Sequence, residues 1–427
     1  MTTFGWSRTW MLAIGWVPMA AHDGCGRPPI RVAIPLAGFN LSGGVKSLVA
    51  VANALAARGH AVRILVPDYA ATPPTPLEPG VRLRVLNSGP RFLPAPARKL
   101  IHLARLALTA TAGADVCLAN YFTTAYVALA SKLIRGDRAV MAYNVRGYEP
   151  LSHGLNADAS APSRLARAAL AWLSYRLPLQ KICTTEWLRE QTGDRSAYVV
   201  GHGIDLDVFR PLTPRPPLIR PTMGPPLRGA NIGSADIPSG LPTARAGEGV
   251  GGEGSGDRLV IGTIGRAGEA KGYPDFLRAL DLLPPHLPIE IRVAAPDPVT
   301  PPGRFPSTLE RPQPEREMAE FYGRCDLFVF SSRGEGFGLP ALEAMAVGCP
   351  VLTTDSGGVR QFAVDDENCV MVPAANPPLL AASIEALARD PARRSRLREA
   401  GLATASAHSQ DAVLERFCRY LVKLAAR

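Results

Sequence analysis

The sequence predicts an α/β protein made of two Rossmann-like parallel-sheet domains facing a central cleft. Three observations carry this expectation. At 427 residues the chain is too long for one ordinary core and suits two. Apolar runs of strand length alternate with amphipathic helix-length segments, the pattern of strand–helix–strand units. Residues 211–257 break that alternation with a stretch rich in Pro, Gly, Ser and Arg that holds too little apolar surface to order itself. The expected layout is a tail over 1–27, a first domain over 28–210, a disordered linker or insertion over 211–257, a second domain over 258–408, and a C-terminal helix over 409–427.

Composition narrows the classes. A 47% apolar and 20% charged content is that of a globular protein. The net charge of +10 permits an acidic partner: nucleotide phosphates, an anionic membrane face or nucleic acid. No arginine-rich run is interleaved with aromatics, so nucleic acid is not expected. The seven cysteines are scattered without a CxxC pair and read as buried free thiols of a reducing, cytoplasmic compartment. Residues 10–21 are apolar and follow Arg8, like the start of a signal peptide, but contain Pro18 and are too short to span a bilayer. No transmembrane helix is expected.

In the first half, residues 30–36 form a continuous apolar run, a strand buried on both faces. A Gly-rich turn holding Gly43 and Gly44 follows, then a helix with Val45, Leu48, Val49, Ala52 and Leu55 at helical spacing, and a second strand over 61–66. That turn belongs at the carboxyl edge of the sheet, where ligands bind; a purely structural turn is the competing reading. The dinucleotide fingerprint GxGxxG is absent. Residues 90–110 carry Arg98, Lys99, His102 and Arg105 on one side of a helix beside Phe92-Leu93. Packing on the core with a solvated basic face is the favoured reading, docking on an anionic bilayer the second. Strands over 115–119 and 139–143 end in Asn120 and in Asn144, Tyr148 and Glu149, and both strand ends should line the same cleft. His202, between two glycines, is a minor candidate from the same edge.

The second half opens with a strand over 259–264. Gly265 and Arg266 lie at its end, and Lys271-Gly272 opens the next helix. Arg as a fork and Lys as a point charge suit a diphosphate; surface salt bridging is the alternative. Residues 296–313 are proline-rich and read as a flexible loop. The central stretch is SSRGEGFGLPALEAMAVGCPVLTTDSGGVRQ over 331–361. Pro340 suits the first residue of a helix and Gly348 a left-handed cap. Glu335 stands on the loop and Glu343 one turn into the helix, near unpaired amides that suit a phosphate. Phe337, Gly338 and Leu339 supply those amides. First-turn acids that merely complement a helix dipole are the plainer alternative.

This stretch, with IGTIGRAGEAKGYPDFLRAL upstream, resembles the donor-binding signature of family 4 glycosyltransferases, retaining enzymes of the GT-B fold. The later Tyr175-Arg176-Leu177 and Thr184-Thr185-Glu186-Trp187-Leu188 are similar, over a shorter span, to bacterial rhamnosyltransferases. The resemblance implies a sugar moved from a nucleoside-diphosphate-sugar to a hydroxyl of a glycan or lipid-linked acceptor in cell-envelope synthesis, with no cofactor beyond that co-substrate. It implies that Arg266 and Lys271 hold the diphosphate, Glu335 the donor sugar and Glu343 the ribose, with the Gly43-Gly44 turn near the donor phosphate. Arg266, Lys271 and Glu335 are the expected catalytic set; Glu335 as a covalent nucleophile stays open. No Asp-x-Asp cluster stands near these motifs, so no metal is expected. The resemblance puts Asn120, Asn144, Tyr148, Glu149 and His202 on the acceptor side; Asn120 and Asn144 stand where many members carry histidine, and Gln361 where glutamate is usual. An inert nucleotide-sugar-binding protein and a GT-B-type epimerase or phosphorylase are the alternatives.

Overall fold

The computed structural model describes residues 28–39, 43–154, 160–211, 258–266, 268–313 and 315–426. The expected tail over 1–27, the turn residues 40–42 and nearly all of the expected insertion lie outside them. The remainder builds two wholly parallel sheets flanked by helices, the GT-B architecture.

The first sheet has the strand order β3-β2-β1-β4-β5-β6-β7. Its elements run β1 (Arg31–Pro35), α1 (Gly43–Ala57), β2 (Ala61–Pro67), β3 (Val81–Leu86), α2 (Ala95–Thr109), β4 (Val116–Ala119), α3 (Phe122–Arg135), β5 (Val140–Val145), α4 (Glu149–Gly154), α5 (Ala161–Ser174), β6 (Gln180–Cys183), α6 (Glu186–Thr192) and β7 (Tyr198–Val199). Every residue of β2 is buried, because helices cover both faces. Alternate side chains of β1 serve the two faces. Ile34 joins Leu48, Val51 and Leu55 of α1, whereas Ala33 joins Leu106 of α2 and Val127 of α3.

The second sheet has the order β10-β9-β8-β11-β12-β13. It comprises β8 (Leu259–Ile264), α7 (Tyr273–Leu282), β9 (Ile289–Ala294), β10 (Ser307–Glu310), α8 (Glu315–Gly323), β11 (Leu327–Phe330), α9 (Leu339–Ala346), β12 (Val351–Asp355), β13 (Val370–Pro373), α10 (Pro377–Arg389) and α11 (Pro391–Ser406). The chain then crosses back. Ile204 N–H donates to His408 O at 3.0 Å and Gln410 N–H to Ile204 O at 2.9 Å. From there α12 (Gln410–Ala425) lays Val413, Phe417 and Leu421 on the α1 face of the first sheet.

Two strands depart from the sequence reading. The proline-rich stretch read as a loop contains β10, an edge strand paired with β9 from Ser307 to Glu310. β3 was likewise not anticipated. Both alternate or mix polar and apolar residues and are half exposed, so neither presents the apolar run that marks a central strand. Within α2, His102 leaves the basic side: it is buried, with Nε2 2.9 Å from Leu36 O. No helix among the described residues is long and apolar enough to cross a membrane. The six described cysteines are buried.

Candidate functional site

The carboxyl ends of the two sheets meet across the cleft, and glycines allow the approach. A Cβ on Gly336 would stand 1.7 Å from the Arg146 carbonyl oxygen. One on Gly357 would fall 2.4 Å from the Trp187 ring. Thr184 Oγ1 donates to Gly336 O at 3.4 Å, and Glu186 N–H to Gln361 Oε1 at 3.0 Å. The glutamine standing where the family usually has glutamate is therefore a bridge between domains. Lys46, in the first turn of α1, lies 3.3 Å from Glu315 at the start of α8, and both charges act on Glu343. This brings the Gly43–Gly44 end of α1 to the second domain.

The donor-side candidates gather around the loop after β11. Glu335 Oε1 accepts from Lys271 Nζ at 2.9 Å and from Ser332 Oγ at 2.8 Å. Its backbone N–H donates to Ser356 O at 2.9 Å, and Gly358 N–H donates back to Glu335 O at 3.1 Å. Lys271 ends a short turn closed by Gly272 at φ +65°, where a Cβ would strike the Ser331 carbonyl. Arg333 locks this turn to α7. Its Nε and Nη2 lie 2.6 and 2.9 Å from the Asp275 carboxylate, and it also pairs with Glu269. Ser332, Arg333 and Asp275 escaped the sequence reading; the only signal was the Ser-Ser-Arg before the motif glycines.

Gly338, at φ +93°, turns the chain into α9, which starts at Leu339 with Pro340 second. Phe337 is buried, its ring 5.5 Å from His202 and 5.3 Å from Phe362. Glu343 Oε2 accepts from Tyr322 Oη at 2.8 Å. Burial pushes the Glu343 carboxyl up to about 7, against the Tyr322 hydrogen bond. Arg266 is exposed at the end of β8, after Gly265, whose bare Cα packs against Val293 and Val299. Its charge reaches the Tyr322 hydroxyl, and it forms no ion pair with a described residue. Arg266 and Glu343 are thus linked through the Tyr322 hydroxyl.

The acceptor-side candidates separate. Asn144 Nδ2 donates to Asn120 Oδ1 at 2.9 Å, and Asn144 is wholly buried. Glu149 is spent on structure: Oε2 accepts from Phe122 N–H at 3.0 Å and Oε1 from Tyr143 Oη at 3.2 Å. Burial raises it to about 8. Tyr148 stands between the Tyr175 and Trp187 rings at 6.2 and 5.9 Å. His202 Nδ1–H donates to Gly203 O at 2.9 Å, leaving Nε2 to accept from the Arg146 guanidinium. Burial and the Arg146 charge push His202 down to about 3, so the ring is neutral. Among the described residues, no cluster of three or more His, Cys, Asp or Glu could hold a metal ion.

Comparison with known proteins bears on the family and the fold. Residues 41–208 match "Glycosyltransferase Family 4" and residues 311–404 match "Glycosyl transferases group 1", together more than half of the chain. A D-inositol 3-phosphate glycosyltransferase of Xylanimonas cellulosilytica is 35% identical over 140 residues, 33% of this chain and 29% of that protein. One from Frankia alni is 28% identical over 215 residues, 47% of this chain and 46% of that protein. The alignments thus span less than half of either relative's length. Among solved structures, sucrose-phosphate synthase from Thermosynechococcus elongatus superposes with a TM-score of 0.67 at 17% identity, covering 93% of this chain and 99% of that one. Anabaena Alr3699/HepE in complex with UDP-glucose gives 0.64 at 15% identity, covering 92% of this chain and 100% of that one. At such identities these likenesses establish the fold.

Proposed function

Because the chain belongs to glycosyltransferase family 4, we propose that it moves a sugar from a nucleoside-diphosphate-sugar to a hydroxyl acceptor, with retention, in cell-envelope polysaccharide or glycolipid synthesis. The observation that carries this reading is the Lys271–Glu335 ion pair, which joins the turn after β8 to the loop after β11, with an exposed Arg266 at the end of β8 that forms no ion pair with a described residue. As the glycosidic bond breaks, negative charge builds on the departing diphosphate. Arg266, Lys271 and the amides of Phe337–Leu339 are preorganised positive groups for that charge, so they lower the barrier where it rises. Glu335, anchored by Lys271 and Ser332, accepts from the donor sugar's hydroxyls. Glu343 accepts from the ribose. The leaving phosphate takes the proton of the acceptor hydroxyl, and no cofactor beyond the nucleotide-sugar enters the step.

The test is a thermal-shift panel of UDP, GDP, dTDP and ADP on the wild type and Arg266→Ala, followed by an assay for nucleoside diphosphate released from the matching sugar. At a hundred times its dissociation constant a nucleotide stabilises by about 2.7 kcal/mol, a readable shift. One nucleotide should stabilise the wild type alone, and its sugar should turn over. Binding without turnover, with or without acceptor extracts, identifies an inert binding protein, the reading suggested by Asn120 and Asn144, bonded to each other where histidines are usual.

A further inference from the structure

Arg146, the residue that follows β5, stands at the point where the two domains touch. Its carbonyl meets Gly336 of the donor loop, and its guanidinium Nη2 donates to His202 Nε2. The His202 ring lies 5.5 Å from that of Phe337, the residue after Gly336. Arg146 and His202 also line a small cavity with Ser47 and Ala50, in the N-terminal half of α1. The guanidinium thus lies one ring away from Phe337 and beside the helix that Gly43 and Gly44 begin. The segment that carries it is fixed. Gly147 O accepts from Tyr175 Oη at 3.3 Å, Tyr148 stands between Tyr175 and Trp187, and Glu149 is buried.

No acid of a described residue pairs with Arg146, whereas Arg31 pairs with Asp115 and Arg360 with Asp355. Burial alone pushes the guanidinium from 12.5 down to about 10. Withdrawing a cation from water without an opposing charge costs stability, and such a cost is characteristic of sites that take an ion. His202 directs this charge without cancelling it. Its Nδ1–H is engaged by Gly203 O, so a neutral ring offers Nε2 to one N–H of the fork and leaves the other donors for an anion. A carboxylate in the same place would orient Arg146 equally well but quench it. The anion that the neighbouring groups already suit is a phosphate, through the amides at Phe337–Leu339.

We propose that Arg146 is a third cation of the donor site, supplied by the first domain, and that it binds the outer, sugar-bearing phosphate of the nucleoside diphosphate with His202 as its positioning residue. This rests on the donor reading above. With the nucleoside on the second domain and the acceptor on the first, the phosphate that a first-domain group reaches is the outer one. When the bond between the sugar and that phosphate breaks, the phosphate oxygen keeps the electron pair. Arg146 then meets the growing charge from the domain opposite Arg266 and Lys271.

The experiment is calorimetric titration of the full chain, without acceptor, on the wild type, Arg146→Met, Arg146→Lys and Arg266→Ala. The ligands are the nucleoside diphosphate selected by the thermal-shift panel, its monophosphate, and inorganic pyrophosphate. Arg146→Met should weaken the diphosphate and pyrophosphate by about ten- to a hundredfold, the worth of one charge-assisted contact, and the monophosphate by much less. Arg146→Lys keeps the charge without the fork and should fall between; it decides the matter if the Met variant melts low. His202→Phe should reproduce part of the loss, and His202→Gln, which still offers an acceptor, should restore it. In turnover, Arg146→Met should lower kcat more than it raises the KM for the donor, because the charge is largest in the transition state. Equal diphosphate affinity in the wild type and Arg146→Met, with Arg266→Ala still weakened, overturns this proposal and leaves the donor reading standing. So does a loss confined to the KM for the acceptor, which would make Arg146 the partner of an acidic acceptor. Binding of no nucleotide and no pyrophosphate by the wild type overturns both readings.

Discussion

Lys271 Nζ lies 2.9 Å from Glu335 Oε1, joining the turn after β8 to the loop after β11. The two side chains are 38% and 17% exposed, so water screens the pair and its worth to stability is no more than about 1 kcal/mol. Its value lies in placement: each partner fixes the other where a donor's phosphate and sugar would meet. Lys271→Met should therefore leave melting nearly unchanged and lower donor turnover by about 10²–10³-fold, the usual cost of one preorganised electrostatic group. Steady-state release of nucleoside diphosphate measures the second effect and calorimetry the first. A large loss of stability with little loss of turnover would make the pair structural.

Gly336 controls the distance between the domains. A side chain there would meet the Arg146 carbonyl, which is backbone and cannot step aside. Gly336→Ala should force the cleft to open while both cores stay folded. Turnover should fall by about 10²-fold, because misplacement by 1 Å is enough for that. Small-angle scattering should show a larger radius of gyration at unchanged melting temperature. An unchanged radius would mean that the two domains do not rest against each other in solution.

Asp275 is the anchor of the Lys271 turn. Burial pushes its carboxyl up, but hydrogen bonds from Arg333 and Arg278 outweigh that and hold it below its ordinary 3.8. A depressed carboxyl stabilises the fold above its unfolded value and loses that contribution as pH falls through the folded one. Arg333→Ala should cost about 3 kcal/mol at neutral pH, the lower end for breaking a buried pair, since Arg278 remains. The penalty should shrink below pH 3.8. Urea unfolding of both proteins across pH 3 to 7 (an interval about the unfolded carboxylate value) reads this out.

Glu149 behaves oppositely. Burial raises it from 4.5 to about 8, so the folded state holds a proton that the unfolded chain has released. Stability should decline as pH rises across that window. Glu149→Gln keeps an acceptor for Phe122 N–H and a partner for Tyr143, and has no charge to bury. The variant should gain on the wild type progressively as pH rises from 4.5 to 8, seen as diverging urea midpoints. Parallel midpoints would show that Glu149 is not protonated by the fold.

The sequence discloses the parts of this molecule that local chemistry dictates. Strands buried on both faces read as apolar runs, which placed β1, β2 and β8 closely. The motif around Glu335 was legible because glycine, proline and charge occur there at fixed spacing. What it hides is set by tertiary partners. Nothing local distinguishes Arg333, which clamps Asp275 58 residues away, from any other surface arginine. Glu149 reads as a cleft residue because it follows a strand end, yet it is consumed by Phe122 and Tyr143. β3 and β10 were missed because edge strands carry no continuous apolar signal. α5 shows the same limit from outside: its apolar residues have helical spacing, and only the fold reveals that they face away from the core.

Glu343 gives the last prediction, because its proton and its proposed task compete. Burial holds the carboxyl at about 7, and the Tyr322 hydroxyl, donating at 2.8 Å, opposes the rise. A carboxylate that accepts from ribose hydroxyls is strongest when ionised. Nucleotide affinity should therefore climb as pH passes upward through 7. The diphosphate has its own ionisation in this range, so the wild-type curve alone is ambiguous. Glu343→Gln, still an acceptor but unable to titrate, supplies the reference: its affinity should follow the nucleotide's ionisation alone. Tyr322→Phe removes the bond that lowers the carboxyl and should move the wild-type inflection to higher pH. Isothermal calorimetry of the three proteins at matched pH decides it. Superimposable curves for the wild type and Glu343→Gln would remove Glu343 from the donor site and leave it as a hydrogen-bond partner of Tyr322.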